Sequence, residues 1–208
     1  MIDFTLYLIT DRKFFVSRDS FFAGVEEALR AGVRAIQLRE KDLETRDLLE
    51  MAGRMRELTN RHHARLFIND RADIALAVDA DGVHLGDKGI PPRAARKVAG
   101  RSMLIGVSAH TVGQAERAEQ EGADFITAGP VYQTPSKLQY GQPLGMDIFG
   151  RIHDAVSIPV FAIGGIKKEK LSEVRRGGAF GIALISGILG ARDIYNETKE
   201  FMRLMKND

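Results

Sequence analysis

Short apolar runs alternate with amphipathic segments along the whole chain. Eight runs are short, apolar and rich in β-branched residues, as buried strands are, and they cover residues 5–9, 35–38, 65–68, 82–85, 104–107, 125–127, 159–163 and 181–185. Between them, apolar residues recur at three- and four-residue spacings, as in Phe21, Val25, Ala28 and Leu29. The pattern predicts strands and helices in regular alternation.

Glycines mark the points where predicted helices give way to strands. Gly32, Gly122 and Gly178 each stand shortly before an apolar run, and a left-handed glycine commonly ends a helix. Strands separated by crossover helices pair in parallel. Eight such units in 208 residues favour an α/β fold, a closed (β/α)₈ TIM barrel in which residues 1–208 form a single domain. An open dinucleotide-binding sheet lacks support, because no GxGxxG fingerprint opens the first unit.

Composition narrows the classes of function. The 30 Lys and Arg residues nearly balance 28 Asp and Glu residues, and no basic run is interleaved with aromatic residues, so we expect no nucleic-acid partner. The absence of cysteine excludes disulfides, thiolate metal sites and a cysteine nucleophile. No apolar stretch approaches the roughly 20 residues of a membrane helix, and the first residues lack a signal-peptide layout. We therefore expect a cytoplasmic protein with no membrane partner.

Polar residues occupy alternate positions at the end of the second predicted strand. Gln37, Arg39 and Lys41 share one face of this strand, because side chains alternate sides along it. An arginine beside a lysine at the end of an apolar strand suits a phosphate or diphosphate. The alternative is an exposed strand end with solvated charges.

The next strand ends carry further candidates, and the active sites of (β/α)₈ barrels form at such ends. Asn69 could donate to a phosphate oxygen, and Asp70 could hold Mg²⁺, which is often bound through one or two carboxylates plus substrate phosphates. Either residue could instead cap the following helix. His84 stands at an alternate position of strand four, where it could point into the barrel mouth or be a structural histidine. Ser108 ends strand five and could equally be a helix cap.

The last three strands lead into loops suited to phosphate. Thr134, Ser136 and Lys137 place two hydroxyls and an ammonium on a proline-containing loop, which predicts an oxyanion clamp or an ordinary turn. Gly165 and Ser186 follow strands seven and eight, the customary phosphate site of this architecture, although tight turns would also explain the glycines. A cationic site and a backbone-amide site at one barrel mouth suit a reaction that joins two phosphorylated small molecules.

Seven motifs, spread over nearly the whole chain, resemble those of the thiamine phosphate synthase family. They are YLITD at 7–11, QLREK at 37–41, ND at 69–70, GVHLG at 82–86, IGVS at 105–108, GPVYQTPSK at 129–137 and IGGI at 163–166. The resemblance implies that 4-amino-5-hydroxymethyl-2-methylpyrimidine diphosphate is joined to 4-methyl-5-(2-phosphooxyethyl)thiazole, with release of diphosphate. It also implies Mg²⁺ as cofactor and a homodimer.

The resemblance assigns a role to each candidate residue. The pyrimidine would contact Gln37 and His84. The diphosphate would be held by Arg39, Lys41, Asn69 and Lys137, with Ser108 nearby and Asp70 on Mg²⁺. The thiazole phosphate would contact Thr134, Ser136 and backbone groups at Gly165, Ile185 and Ser186.

Two positions depart from related patterns and keep alternatives open. Gly89 stands where the family usually has a second metal-binding aspartate, so Asp87 substitutes for it, Asp70 acts with water alone, or synthase activity has been lost. Pro130 stands where the related thiazole tautomerase has its acid–base histidine, and proline has no proton to transfer. A non-catalytic barrel that binds thiamine intermediates for regulation is the third hypothesis.

Overall fold

The computed structural model describes residues 1–86, 89–134 and 142–206. Its strands pair in chain order into a closed parallel barrel, with bounds close to those of the eight predicted runs. They are β1 Leu6–Ile9, β2 Ala35–Leu38, β3 Arg65–Asn69, β4 Gly82–Leu85, β5 Leu104–Ala109, β6 Phe125–Ala128, β7 Val160–Ile163 and β8 Gly181–Leu184. The predicted (β/α)₈ fold is confirmed.

Helices separate the strands. They are α1 Arg18–Ala31, α2 Thr45–Arg61, α3 Ala72–Ala77, α4 Pro92–Ala99, α5 Val112–Gln120, α6 Gly145–Ala155, α7 Leu171–Arg176, α8 Ser186–Leu189 and α9 Ile194–Lys206. In α1, the hydroxyl of Ser17 accepts the backbone N–H of Ser20, and the Ser20 hydroxyl accepts that of Ser17, a capping box that fixes the helix start. Within the parts of the chain described here, no helix is long and apolar enough to span a membrane.

The glycines predicted to end helices have the expected backbone conformation. The φ angles of Gly32, Gly122 and Gly178 are 121°, 92° and 88°. Side chains other than glycine's are strained at such angles, so these positions allow each helix to stop and the chain to enter the next strand within a few residues. The sequence interpretation of these turns is confirmed.

Residue contacts divide the chain into two compact units. The first unit comprises Leu6–His84 and Leu184–Asp208, and the second comprises Met1–Thr5 and Leu85–Ala183. In the first unit, β1 to β4 pair in parallel, and Gln37 stands between Ile9 and Phe67 in register. In the second unit, β5, β6 and β7 pair in parallel, and Ser108 lies opposite Thr127.

Aromatic side chains fill much of the core of the second unit. The rings of Phe4, Phe125 and Phe161 contact one another, with centroids 5.3 to 5.8 Å apart. All three are almost fully buried. A Cβ atom at Gly181 would lie 2.6 Å from the Phe161 ring, so the absence of a side chain there lets β8 approach this cluster.

The same ion-pair arrangement is found in both units, at the amino ends of strands. In the first unit, Asp81 accepts the backbone N–H of Leu66 at 2.9 Å and pairs with Arg56. In the second unit, Asp124 accepts the N–H of Ile105 at 2.7 Å and pairs with Arg96. Asp81 directly precedes β4 and bonds to β3, and Asp124 directly precedes β6 and bonds to β5. This end of a barrel serves stability rather than chemistry.

Replacing Asp124 by Asn or Ala should therefore destabilise the protein without affecting its active site. We expect the Ala variant to lose about 1–2 kcal/mol of unfolding free energy, because a charged pair and a backbone hydrogen bond lose their shared acceptor. Urea unfolding would measure the loss. The control is Asp19→Ala, since Asp19 is 86% exposed and pairs with Arg54 only at the surface. Equal effects of the two substitutions would contradict the proposed role of Asp124.

Candidate functional site

Three polar side chains are buried together among the strands of the first unit. Tyr7 lies in β1, Gln37 in β2 and His84 in β4, and each is almost inaccessible to solvent. The amide nitrogen of Gln37 donates to the Tyr7 hydroxyl at 3.2 Å, and that hydroxyl lies 3.5 Å from Nδ1 of His84. Tyr7 therefore connects the two residues that the family resemblance would place at the pyrimidine, Gln37 and His84. The sequence interpretation had given Tyr7 no role.

The electrostatics of this cluster keep it uncharged. Burial lowers the pKa of His84, and the positive charges of Arg39 and Lys41 add to this effect, so that the pKa falls to about 3. Burial also raises the pKa of the Tyr7 phenol well above its usual value, against the opposing effect of the Gln37 hydrogen bond. Near neutral pH, the imidazole is neutral and the phenol is protonated. The effect on His84 also indicates that Arg39 and Lys41 act electrostatically on this cluster.

A carboxylate and a cation lie together beside the end of β3. The Asn69 amide donates to Oδ2 of Asp70 at 2.8 Å, and the same oxygen lies 4.0 Å from Nζ of Lys41. The Lys41 side chain is 54% exposed and that of Asp70 is 28% exposed, so both are accessible to a ligand. Asp70 has a φ of 58°, an uncommon angle for a residue other than glycine.

The helix-cap alternatives for Asp70 and Ser108 are wrong. The residue at the cap position of α3 is Arg71, and no side chain makes the capping hydrogen bond there. The cap of α5 is Thr111, whose hydroxyl accepts the backbone N–H of Gln114 at 3.2 Å. Ser108 instead lies within β5, where it accepts a hydrogen bond from the Thr127 hydroxyl at 3.4 Å.

Ile185 and Ser186 come directly after β8 and belong to the first unit. The helix α8 begins at Ser186 and has four residues, and its turns are closed by the N–H of Leu189 on the Ile185 carbonyl and the N–H of Gly190 on the Ser186 carbonyl. In the barrel, β2 and β8 both neighbour β1. Lys41 and Ser186 follow the carboxyl ends of these parallel strands, so they lie at the same end of the first unit.

Two loops of the second unit pack closely near Gly165. The N–H groups of Val131 and Tyr132 donate to the carbonyls of Ile163 and Gly164, at 2.8 and 3.0 Å. Gly165 has a φ of 67°, and a Cβ atom there would lie 2.7 Å from the Gln133 carbonyl oxygen. Glycine is therefore required at position 165 both for its backbone angle and for this close approach. Thr134 is half-buried and continues the same loop.

The predicted site residues Asp87, Ser136 and Lys137 lie outside the described residues. Within residues 1–86, 89–134 and 142–206, no group of three or more His, Asp or Glu side chains is arranged to hold a metal ion. Mg²⁺ does not require such a group when substrate phosphates and water complete its shell. Asp70, with its accessible carboxylate beside Asn69, fits that mode of binding.

Comparisons with known proteins agree over nearly the whole chain. A sequence model of a family described as thiamine monophosphate synthase matches residues 6–188. A Geobacter sulfurreducens protein named putative thiamine-phosphate synthase is 53% identical over 204 residues, which are 98% of this chain and 95% of that protein. The Clostridium acetobutylicum thiamine-phosphate synthase is 40% identical over 207 residues, which are 100% of this chain and 97% of that protein.

A solved structure extends the agreement to three dimensions. The thiamine phosphate pyrophosphorylase from Pyrococcus furiosus superposes with a TM-score of 0.88 and is 39% identical, covering 98% of this chain and 96% of its own. Fold, motifs and sequence identity thus point the same way. The resemblance seen in the motifs is confirmed, and the chain belongs to the thiamine monophosphate synthase family.

Proposed function

We propose that this protein is a thiamine-phosphate synthase. It joins the pyrimidine diphosphate to the thiazole phosphate and releases diphosphate. The observation that carries the proposal is the electrostatic effect of two cations, Arg39 and Lys41, on the uncharged buried cluster of Tyr7, Gln37 and His84. Relatives with that name are 40% and 45% identical to nearly the whole chain, which supports the same reaction.

The buried pocket suits the pyrimidine ring. A neutral histidine and a glutamine amide offer hydrogen-bond donors and acceptors to a heterocycle with ring nitrogens and an amino group. Because His84 is uncharged near neutral pH, it adds no positive charge beside a ring that becomes cationic when diphosphate leaves. Gln37 and His84 are therefore assigned to the pyrimidine, with Tyr7 holding both in place.

The cations act on the leaving group. The C–O bond between the pyrimidine methylene carbon and the diphosphate breaks, and its electron pair leaves with the diphosphate. The thiazole nitrogen then donates the electron pair that forms the new C–N bond. Arg39, Lys41, Asn69 and Lys137 bind the diphosphate, with Ser108 nearby. Positive charge fixed where negative charge grows lowers the barrier to such a step.

Asp70 would hold Mg²⁺. Asp87 would be the second carboxylate ligand, because Gly89 has no side chain that could bind the ion. Bound Mg²⁺ supplies further positive charge beside the leaving diphosphate. Thr134 and Ser136 bind the thiazole phosphate together with backbone groups at Gly165, Ile185 and Ser186. Gly165 follows β7 and Ser186 follows β8, and the loops after the last two strands are the customary phosphate site of this architecture, which supports this assignment. A homodimer in the cytoplasm completes the proposal.

Incubation of the purified protein with both substrates and Mg²⁺ tests the proposed reaction. We expect thiamine phosphate and diphosphate in equal amounts, measured by chromatography and a phosphate assay after pyrophosphatase treatment. No product would contradict the proposal. Retained binding of the thiazole phosphate without product would favour a tautomerase or a non-catalytic binding protein.

Substitution of either cation should affect the reaction much more than the fold. We expect Arg39→Ala and Lys41→Ala each to lower kcat at least about 100-fold, because the growing charge on the diphosphate loses a fixed partner. Unfolding free energies should change little, since Lys41 is largely exposed. Lys199→Ala, which removes an exposed lysine of α9, is the matched control and should keep wild-type rates. A near-wild-type rate for either test variant would show that the diphosphate site is wrongly assigned.

The residue at position 89 should affect how much Mg²⁺ the reaction requires. Gly89→Asp restores a carboxylate where the family usually has one, so we expect it to lower the Mg²⁺ concentration that gives half-maximal turnover. Asp70→Asn should raise that concentration about tenfold or more, because the remaining ligands bind the ion less tightly. Magnesium titrations of turnover would measure both shifts. An unchanged requirement in the two variants would contradict the assignment of metal ligands.

A further inference from the structure

A buried carboxylate lies between the two proposed diphosphate-binding cations. Glu40 separates Arg39 from Lys41 in the sequence, yet it is only 5% exposed. Burial raises the pKa of Glu40, and hydrogen bonds from Thr10 and Arg12 oppose that rise. A buried carboxylate is costly unless it is paired and hydrogen-bonded. The reaction proposed above gives Glu40 no role, and its bonding partners indicate one.

Both carboxylate oxygens of Glu40 are engaged by the end of β1 and the loop after it. Oε1 accepts the Thr10 hydroxyl at 2.8 Å and the backbone N–H of Arg12 at 3.1 Å. Oε2 accepts the Arg12 guanidinium at 3.2 Å. These charge-assisted bonds fix the segment after β2 to the segment after β1.

Thr10 connects the same two segments through its hydroxyl and its backbone. Its hydroxyl donates to Glu40 and accepts the backbone N–H of Arg39 at 3.0 Å. The Thr10 backbone N–H donates to the Gln37 carbonyl at 2.9 Å. One threonine is therefore bonded to residues 37, 39 and 40.

Arg12 binds on both sides of Lys41. Besides Glu40, its guanidinium donates to the two carboxylate oxygens of Asp42, at 2.5 and 3.1 Å. Glu40 and Asp42 thus face Arg12, while the intervening Lys41 lies 4.0 Å from Asp70. The hydrogen bonds of Glu40 and Asp42 to Arg12 hold the backbone of residues 39–42. The side chains of Arg39 and Lys41 take no part in these bonds, so they can bind a ligand.

We propose that Thr10, Arg12 and Glu40 are positioning residues, which hold the backbone of residues 39–42 so that Arg39 and Lys41 meet the leaving diphosphate. The inference rests on the proposed function, because it assumes a diphosphate site at those cations. Long, flexible cationic side chains bind an anion well only when their backbone is fixed. Small errors in placement of such groups reduce rates strongly.

The test compares variants that keep or remove the hydrogen bonds of this network. Thr10→Val removes the hydroxyl and preserves shape, Thr10→Ser keeps the hydroxyl, and Glu40→Gln removes the charge. Inorganic pyrophosphate in Mg²⁺-containing buffer is the probe, with its Kd measured by calorimetry. We expect Thr10→Val and Glu40→Gln to raise this Kd about tenfold or more and to lower kcat similarly. Thr10→Ser should remain within about threefold of the wild type, and the KM for the thiazole phosphate should not change.

Asp124→Asn provides the control for general destabilisation. It weakens an ion pair at the amino ends of the strands and should leave pyrophosphate affinity unchanged. Wild-type affinity in Thr10→Val and Glu40→Gln, or an equal loss in Asp124→Asn, would overturn the positioning role. A wild-type protein that binds pyrophosphate and forms no thiamine phosphate would overturn the proposed function instead. A wild-type protein that does not bind pyrophosphate would overturn both.

Discussion

Positive charge placed beside a buried, uncharged pocket is the constraint on which this site depends. The charges of Arg39 and Lys41 add to the effect of burial in lowering the pKa of His84, so the imidazole is neutral near neutral pH. The same two positive charges attract an anion, so a diphosphate that arrives beside them is stabilised. A substrate with a neutral heterocycle and a diphosphate matches both parts of this arrangement.

The barrel supplies the rigidity that the arrangement requires. Arg39, Lys41 and Asp70 stand just beyond the ends of strands whose pairing fixes the backbone, and Thr10 and Glu40 extend that fixation past the last paired residues. Stability is provided elsewhere, by the Phe4, Phe125 and Phe161 cluster and by the aspartates that tie strand pairs at their amino ends. This separation leaves charged residues at the carboxyl ends available for chemistry.

The sequence predicted the fold well because the periodic pattern is local. Strand bounds and the turns at Gly32, Gly122 and Gly178 follow from residues close in the chain, and the structure confirms them. Asp70 and Ser108 could not be separated from helix caps by sequence, because both types of residue serve both purposes and only the observed caps, at Arg71 and Thr111, decide the matter.

Residues that act through distant partners were missed. The bond between Thr10 and Glu40 joins positions 30 residues apart, and the contact between Tyr7 and His84 joins positions 77 apart, so no local pattern indicates either one. In the sequence, Glu40 is one of several charged residues in a polar segment, and nothing there indicates that it is buried. The phenol of Tyr7, which stands in the otherwise apolar run of the first predicted strand, was the available signal for the buried cluster.

A crystal structure with inorganic pyrophosphate and Mg²⁺ bound tests the central claim most directly. We expect pyrophosphate oxygens within hydrogen-bonding distance of the Arg39 guanidinium and the Lys41 ammonium, beside the cluster of Tyr7, Gln37 and His84. Pyrophosphate bound away from both cations, with the pocket left to solvent, would contradict it.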